Sequence, residues 1–254
     1  MRIVKGTDRI PVDHPIFLIY GQPGICKSSL GFSADAALLL DFDRGAHRAA
    51  NRRDSLVIDE WDDVEDLTAH PGALDSYRAI VVDTVGRALD VITADIAIKE
   101  PKKAPGGNLT QAGYGSLKTR FRGWMNVLRA QGKDVLLLAH DREDKDGDLR
   151  VARPDIIGGS LGEVLKVSDF VGYLYMNGTQ RVLDFSPTDR WIGKNPAQWA
   201  PFKVPSVAHA STFLADLFDQ GRQALGQISE VSAGVLNVVD DWRAAIETFT
   251  TPDE

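Results

Sequence analysis

The chain has 254 residues, 43% of them hydrophobic, and a formal net charge of −7. That apolar content supplies the core of one α/β domain, and the acidic balance excludes bulk, non-specific nucleic-acid binding while leaving room for a local basic strip. No apolar run reaches membrane-spanning length, and the N-terminus MRIVKGTDRI lacks the apolar core of a signal peptide. The single cysteine excludes an internal disulfide, and the histidines at 14, 47, 70, 140 and 209 lack zinc-ligand spacing. The expectation is a cytoplasmic protein with no membrane partner.

Residues 15–20 (PIFLIY) form an apolar run ended by Gly21, the pattern of a buried parallel strand. A glycine-bearing segment follows, residues 20–30 (YGQPGICKSSL), and residues 28–37 then read as a helix. Residues 36–41 (AALLLD) predict a second strand, 56–59 (LVID) a short third and 78–83 (RAIVVD) a fourth. Val85, Leu89, Ile92 and Ile96 share one face of the next helix. Residues 99–115 hold two prolines, four glycines and three lysines and predict a long mobile loop.

Leu117, Phe121, Trp124 and Leu128 mark another helical face, and 134–139 (DVLLLA) a fifth strand. Residues 141–159 are polar and glycine-containing and predict a second long loop. Residues 172–185 predict a β-hairpin turning at Asn177-Gly178. Phe213, Leu214, Leu217 and Phe218 give an apolar helical face near the C-terminus, ahead of the acidic tail TTPDE. Two units are expected: a core over 1–205 and a helical extension over 206–254.

The segment after the first strand fits a phosphate-binding P-loop at every diagnostic position but one. Gly21, Gln22, Pro23, Gly24, Ile25, Cys26, Lys27, Ser28 and Ser29 would cradle phosphates with backbone N–H groups. Lys27 would reach the β- and γ-phosphates of ATP, and the Ser28 hydroxyl would ligate Mg2+. The N-terminal dipole of the following helix favours the same anions. Cys26 stands where glycine usually precedes the lysine and adds a Cβ close to the phosphate path.

Asp83 ends a four-residue apolar run and reads as a magnesium-associated acid, or as a cap for the helix that follows. Asp41 and Asp43 alternate onto one side at the end of the second strand, so that one can activate water while the other shapes the loop, or both are solvated turn acids. His140 ends the fifth strand, where a polar group faces the ligand crevice; a structural role is the other reading. Arg153, Arg190 and Lys194 are scattered cations that either serve a neighbouring subunit or are ordinary surface charges.

Together, IYGQPGICKSSLGF, LLLDFDRG, YRAIVVDTVGRALD, LTQAGYGSLKTRF, VLLLAHDRE, RPDIIGGSLGEVLKVSDFVGYL and FSPTDRWIGKN resemble the RecA-type ATPase core, and more closely the compact RecA-like ATPases of phage recombination and single-strand annealing. The resemblance implies an α/β RecA-like P-loop NTPase core, a mainly parallel twisted sheet flanked by helices, with a β-hairpin and a helical C-terminal extension. It also implies roles: Gly21, Gly24, Lys27 and Ser28 as the phosphate loop, Asp43 as the water-activating base, Asp83 with Mg2+, His140 as γ-phosphate sensor and Lys194 as a cation acting in a neighbouring subunit.

Single-stranded DNA would be contacted by Lys99, Lys102, Lys103 and Tyr114 in the first long loop, with the second loop disfavoured by its acids. Self-association as a ring or filament and a single-strand-binding protein as partner belong to the same resemblance. The chain departs from the pattern at Cys26, at Asp43 in place of glutamate, and at Pro196 in place of a finger arginine. A small-molecule or nucleotide kinase, and a non-hydrolysing nucleotide-binding scaffold for annealing or loading, are the other readings.

Overall fold

Every residue of β1 (Ile16–Gly21) is buried, because this strand lies inside a parallel sheet covered on both faces. Its neighbours, both parallel, are β5 (Asp134–Asp146) and β7 (Phe170–Asn177). The structure, a computed structural model, describes residues 5, 8, 10, 12–70, 72–147, 149–157, 159–206 and 210–230. His209 and the tail TTPDE lie outside the described residues.

The other strands are β2 (Ala37–Asp41), β3 (Ser55–Val57), β4 (Ala79–Asp83), β6 (Leu149–Pro154), β8 (Gln180–Asp184) and β9 (Phe202–Val204). Among the described residues they form one sheet in the order β3-β2-β4-β5-β1-β7-β8-β9, with β6 paired to β5. The six strands from β3 to β7 run parallel, and β8 and β9 add an antiparallel margin. The expected class, an α/β protein with a mainly parallel sheet flanked by helices, is the observed one.

Period-two alternation divides β1 between two cores. Ile16, Leu18 and Tyr20 join the apolar faces of α2 (Trp61–Ala69), α3 (Val85–Lys99), α4 (Gln111–Ala130) and α5 (Ser160–Val167). Phe17 and Ile19 face the opposite layer, made by α1 (Lys27–Gly31) and a last helix, α6, over 213–230. Phe17 stacks on Phe170 at 4.6 Å and meets Phe218 edge-on at 5.2 Å. The Ser33 hydroxyl accepts from the Leu214 N–H at 3.1 Å, tying α6 to the turn after α1.

Local differences from the sequence expectations have physical causes. α1 stops at Gly31, because turns at Ser33 and Ala34 and a left-handed Ala36 (φ 41) bring the chain back into β2. The first expected long loop is largely ordered structure: α3 runs to Lys99, two 3-10 turns cover Pro101–Lys103 and Pro105–Gly107, and α4 begins at Gln111. Thr110 caps α4 by accepting from Gly113 N at 3.2 Å.

The second expected loop is a hairpin instead, with β5 continuing to Asp146 and returning as β6. Its sequence, DREDKDGDLR, lacks apolar alternation because that arm projects from the sheet and needs no buried face. The hairpin of β7 and β8 is present, with its two-residue turn at 178–179, one position beyond the expected one. β9 is three residues long and went unpredicted.

Candidate active site

Parallel pairing places the C-terminal ends of β1, β2, β4 and β5 along one sheet edge, where ligands of open α/β sheets bind. Gly21 ends β1 against β7, and a Cβ there would lie 2.2 Å from the Leu174 carbonyl oxygen, so only glycine fits. The loop then turns through Gly24 (φ 79) and Cys26 (φ 73), both left-handed. For Cys26 that conformation costs on the order of 1 kcal/mol that glycine would not pay. Arg181 of β8 braces this point: its guanidinium donates to Ile25 O at 3.2 Å and to Cys26 Sγ at 3.4 Å.

A cavity of about 200 Å³ beside the loop is lined by Gly24, Cys26, Lys27, Ser28, Ser29, Asp43, Gly45, Arg48, Ala49, Asp83 and His140. Of the residues singled out in the sequence, Gly24, Cys26, Lys27, Ser28, Ser29, Asp43, Asp83 and His140 line this cavity, and Gly45, Arg48 and Ala49 line it without having been singled out. α1 has only five residues, so converging loop N–H groups and Lys27 carry more of any anion binding than a helix dipole does.

Lys27 is 5% exposed, and its ammonium donates to Gly21 O at 2.7 Å and Gln22 O at 2.9 Å. Burial lowers its pKa to about 8 against the opposing pull of Asp83, Asp141 and Asp43. Ser28 donates its hydroxyl to Asp83 Oδ2 at 2.5 Å. Burial raises the Asp83 pKa, a shift the Ser28 hydrogen bond reduces and the charges of Asp43 and Asp41 reinforce. A buried acid in that state, hydrogen-bonded to a hydroxyl at the mouth of a phosphate loop, fits Mg2+, which takes one or two protein oxygens plus phosphates and water. Bound there, the ion would supply charge neutralisation at the phosphates, with Ser28 and Asp83 as its protein partners.

The pair Asp41 and Asp43 separates into two roles. Both oxygens of buried Asp41 accept backbone N–H bonds, from Gly45 and Ala46, each at 2.8 Å. Asp41 therefore shapes the turn. Asp43 faces the cavity, with Oδ1 at 3.2 Å from Arg87 Nε and Oδ2 at 3.5 Å from His140 Nε2. Burial pushes its pKa up, but hydrogen bonds from His140 and Thr84 and the charge of Arg87 hold the carboxyl below its ordinary range.

The other expected site residues lie elsewhere. Lys194 donates to Ser168 O at 2.5 Å and does not line this chain's phosphate cavity. Lys99 pairs with Asp62, with Asp95 at 2.9 Å and with Glu65 at 3.9 Å. Lys103 pairs with Glu100 at 2.5 Å and Ser116 at 2.8 Å. Lys102 and Tyr114 are exposed.

A strand, glycine loop, lysine and hydroxyl facing an acid at the end of β4, with β5 between the two strands, define a P-loop ATPase domain with an α/β fold. The AAA domain family model matches residues 14–197, and the chain belongs to that family. Among solved structures, a KaiC-like protein from the hyperthermophilic archaeon Pyrococcus horikoshii is similar at 11% identity, over 69% of this chain and 87% of that chain, with a TM-score of 0.36. No curated protein matches. No described helix is long and apolar enough to cross a membrane.

Proposed function

We propose that the protein hydrolyses MgATP and acts on single-stranded DNA as a ring or filament, in recombination or annealing of the phage type, beside a single-strand-binding protein. The observation that carries the hydrolytic part is the convergence of Lys27, Ser28, Asp83, Asp43 and His140 on one cavity. Lys27 and Ser28 bind the phosphates and the ion, Asp43 orients the attacking water as a carboxylate, and His140 links the two. Lys194 reaches a neighbour's nucleotide in the assembly.

The DNA reading rests on motif order, with Lys102 and Tyr114 the contacts left accessible by the ion pairs of Lys99 and Lys103. ATP turnover measured alone, with single-stranded DNA and with nucleoside monophosphates tests it. Stimulation by DNA alone is expected; stimulation by monophosphates, with the γ-phosphoryl group of ATP transferred to them and ADP released, would overturn it in favour of a kinase. One observation favours that second reading: a groove of about 720 Å³ opens beside the phosphate cavity and shares Asp43 with it.

A further inference from the structure

The phosphate cavity contains a cation to which no role has yet been given. Arg48 closes a 3-10 turn, Ala46–Arg48, and lines the cavity with Lys27, Ser28, Asp43 and Asp83. It pairs with no carboxylate among the described residues, whereas Arg44 is paired to Asp59 and Arg87 to Asp43 and Asp90. A guanidinium left without a partner beside two acids is placed for an anion that arrives from outside.

The turn that presents it is built for the purpose. Asp41 fixes Gly45 and Ala46 through their N–H groups. The Arg48 guanidinium lies across the bare α-carbon of Gly45, where a Cβ would stand 2.6 Å from Nη2. One short stretch, DFDRGAHR, therefore supplies turn, carboxylate and cation.

We propose that Arg48 is a catalytic residue acting in cis, contacting the γ-phosphoryl group of ATP and stabilising the charge that develops on it during hydrolysis. The proposal rests on the hydrolytic reading of the cavity. Water oxygen bonds to the γ-phosphorus, the bond to the β–γ bridging oxygen breaks, and ADP leaves with that electron pair. The water proton passes by way of Asp43 to the phosphate product. Arg48 exchanges no proton and forms no covalent bond. Its contribution is electrostatic, worth ~10³-fold or more in kcat for arginines so placed.

The test compares wild type, Arg48→Ala, Arg48→Lys, Gly45→Ala and Lys27→Ala for ATP turnover and for affinity toward ADP and ADP–aluminium fluoride. Arg48→Ala should lose at least ~100-fold in kcat, keep ADP affinity within about threefold, and lose the tighter binding of the transition-state mimic. Arg48→Lys should fall between, and Gly45→Ala, which displaces only a side-chain tip, should lower kcat with the fold intact. An equimolar mixture of Arg48→Ala and Lys27→Ala should stay inactive, because cation and phosphate loop must share a chain. Turnover of Arg48→Ala within about threefold of wild type, or restored turnover in the mixture, overturns the proposal. A wild type that does not hydrolyse ATP sinks the hydrolytic reading instead; Arg48 is then judged by the mimic, and unchanged affinity in Arg48→Ala overturns it.

Discussion

The Lys27 ammonium stands 3.4 Å from Nδ1 of His140. An ammonium can only donate, so Nδ1 accepts and the ring proton sits on Nε2, facing Asp43 at 3.5 Å. Lys27 and Asp43 are thereby connected through one imidazole. A nucleotide that draws Lys27 onto its phosphates breaks one end of the chain and leaves His140 to Asp43. Replacing His140 by alanine should lower kcat at least ~10-fold with ATP affinity within about threefold, while glutamine, which keeps one donor and one acceptor, should retain most turnover. Steady-state kinetics with a parallel binding titration check both.

Lys27 also sets a pH window. Its lowered pKa of about 8 means that the free protein loses this positive charge as pH rises past that value. Anionic phosphates favour the charged form, so ATP affinity should be nearly flat from pH 6.5 to 7.5 and fall by up to about tenfold per unit above pH 8. For stability the sign is opposite: the unfolded chain holds the proton up to its ordinary value, so the cost of burying the cation fades as pH rises from 8 toward 10.5. Binding titrations across this range, with Lys27→Met as the flat control, provide the check.

Arg181 braces the loop with two hydrogen bonds, one to Ile25 O and one to Cys26 Sγ. Arg181→Ala should weaken ATP binding several-fold, since the loop loses both donors. Cys26→Gly removes the left-handed penalty and the sulfur contact together, so the net stability change should stay within ~1 kcal/mol. Because Cys26 lines the phosphate cavity and is the only thiol, MgATP should slow its alkylation. Equal labelling with and without nucleotide would count against the proposed closure of the loop.

Arg87 holds Asp43 from the groove side and reaches Asp90 as well, at 3.2 Å in both cases. Its 63% exposure makes the contact accessible to added reagents. Arg87→Ala should lower kcat about 10-fold by freeing the carboxylate, and guanidinium ion should restore part of the loss. The acid limb of the pH–rate profile should move up, since one of the charges that keeps Asp43 ionised is gone. An unmoved limb together with full turnover would reduce Arg87 to a surface ion pair.

The glycine loop after β1, the position of Asp83 at a strand end and the five parallel strands β1 to β5 were legible because each depends on local pattern: an apolar run, a glycine, a charged residue at a strand end. Arg48 and Arg87 were not. Their roles arise from a turn fixed by Asp41 and from the approach of α3 to β2, and neither leaves a periodic trace. The outer part of the arm, the end of β5 and the start of β6, escaped for the opposite reason, since strand residues without a buried face show no alternation. Lys99 and Lys103 looked free in the sequence; each pairs with a carboxylate four or three residues earlier, Asp95 and Glu100, and the packing of α2 against α3 adds Asp62 and Glu65 to Lys99.

The most direct test of the hydrolytic site is Mg2+-dependent ATP turnover by wild type and Asp43→Asn, measured with ATP binding to both. The arrangement of Asp43, Lys27 and His140 predicts that wild type turns over while Asp43→Asn binds ATP normally and loses at least ~100-fold in kcat. Equal turnover by the two proteins, or none by wild type under any Mg2+ condition, would contradict it.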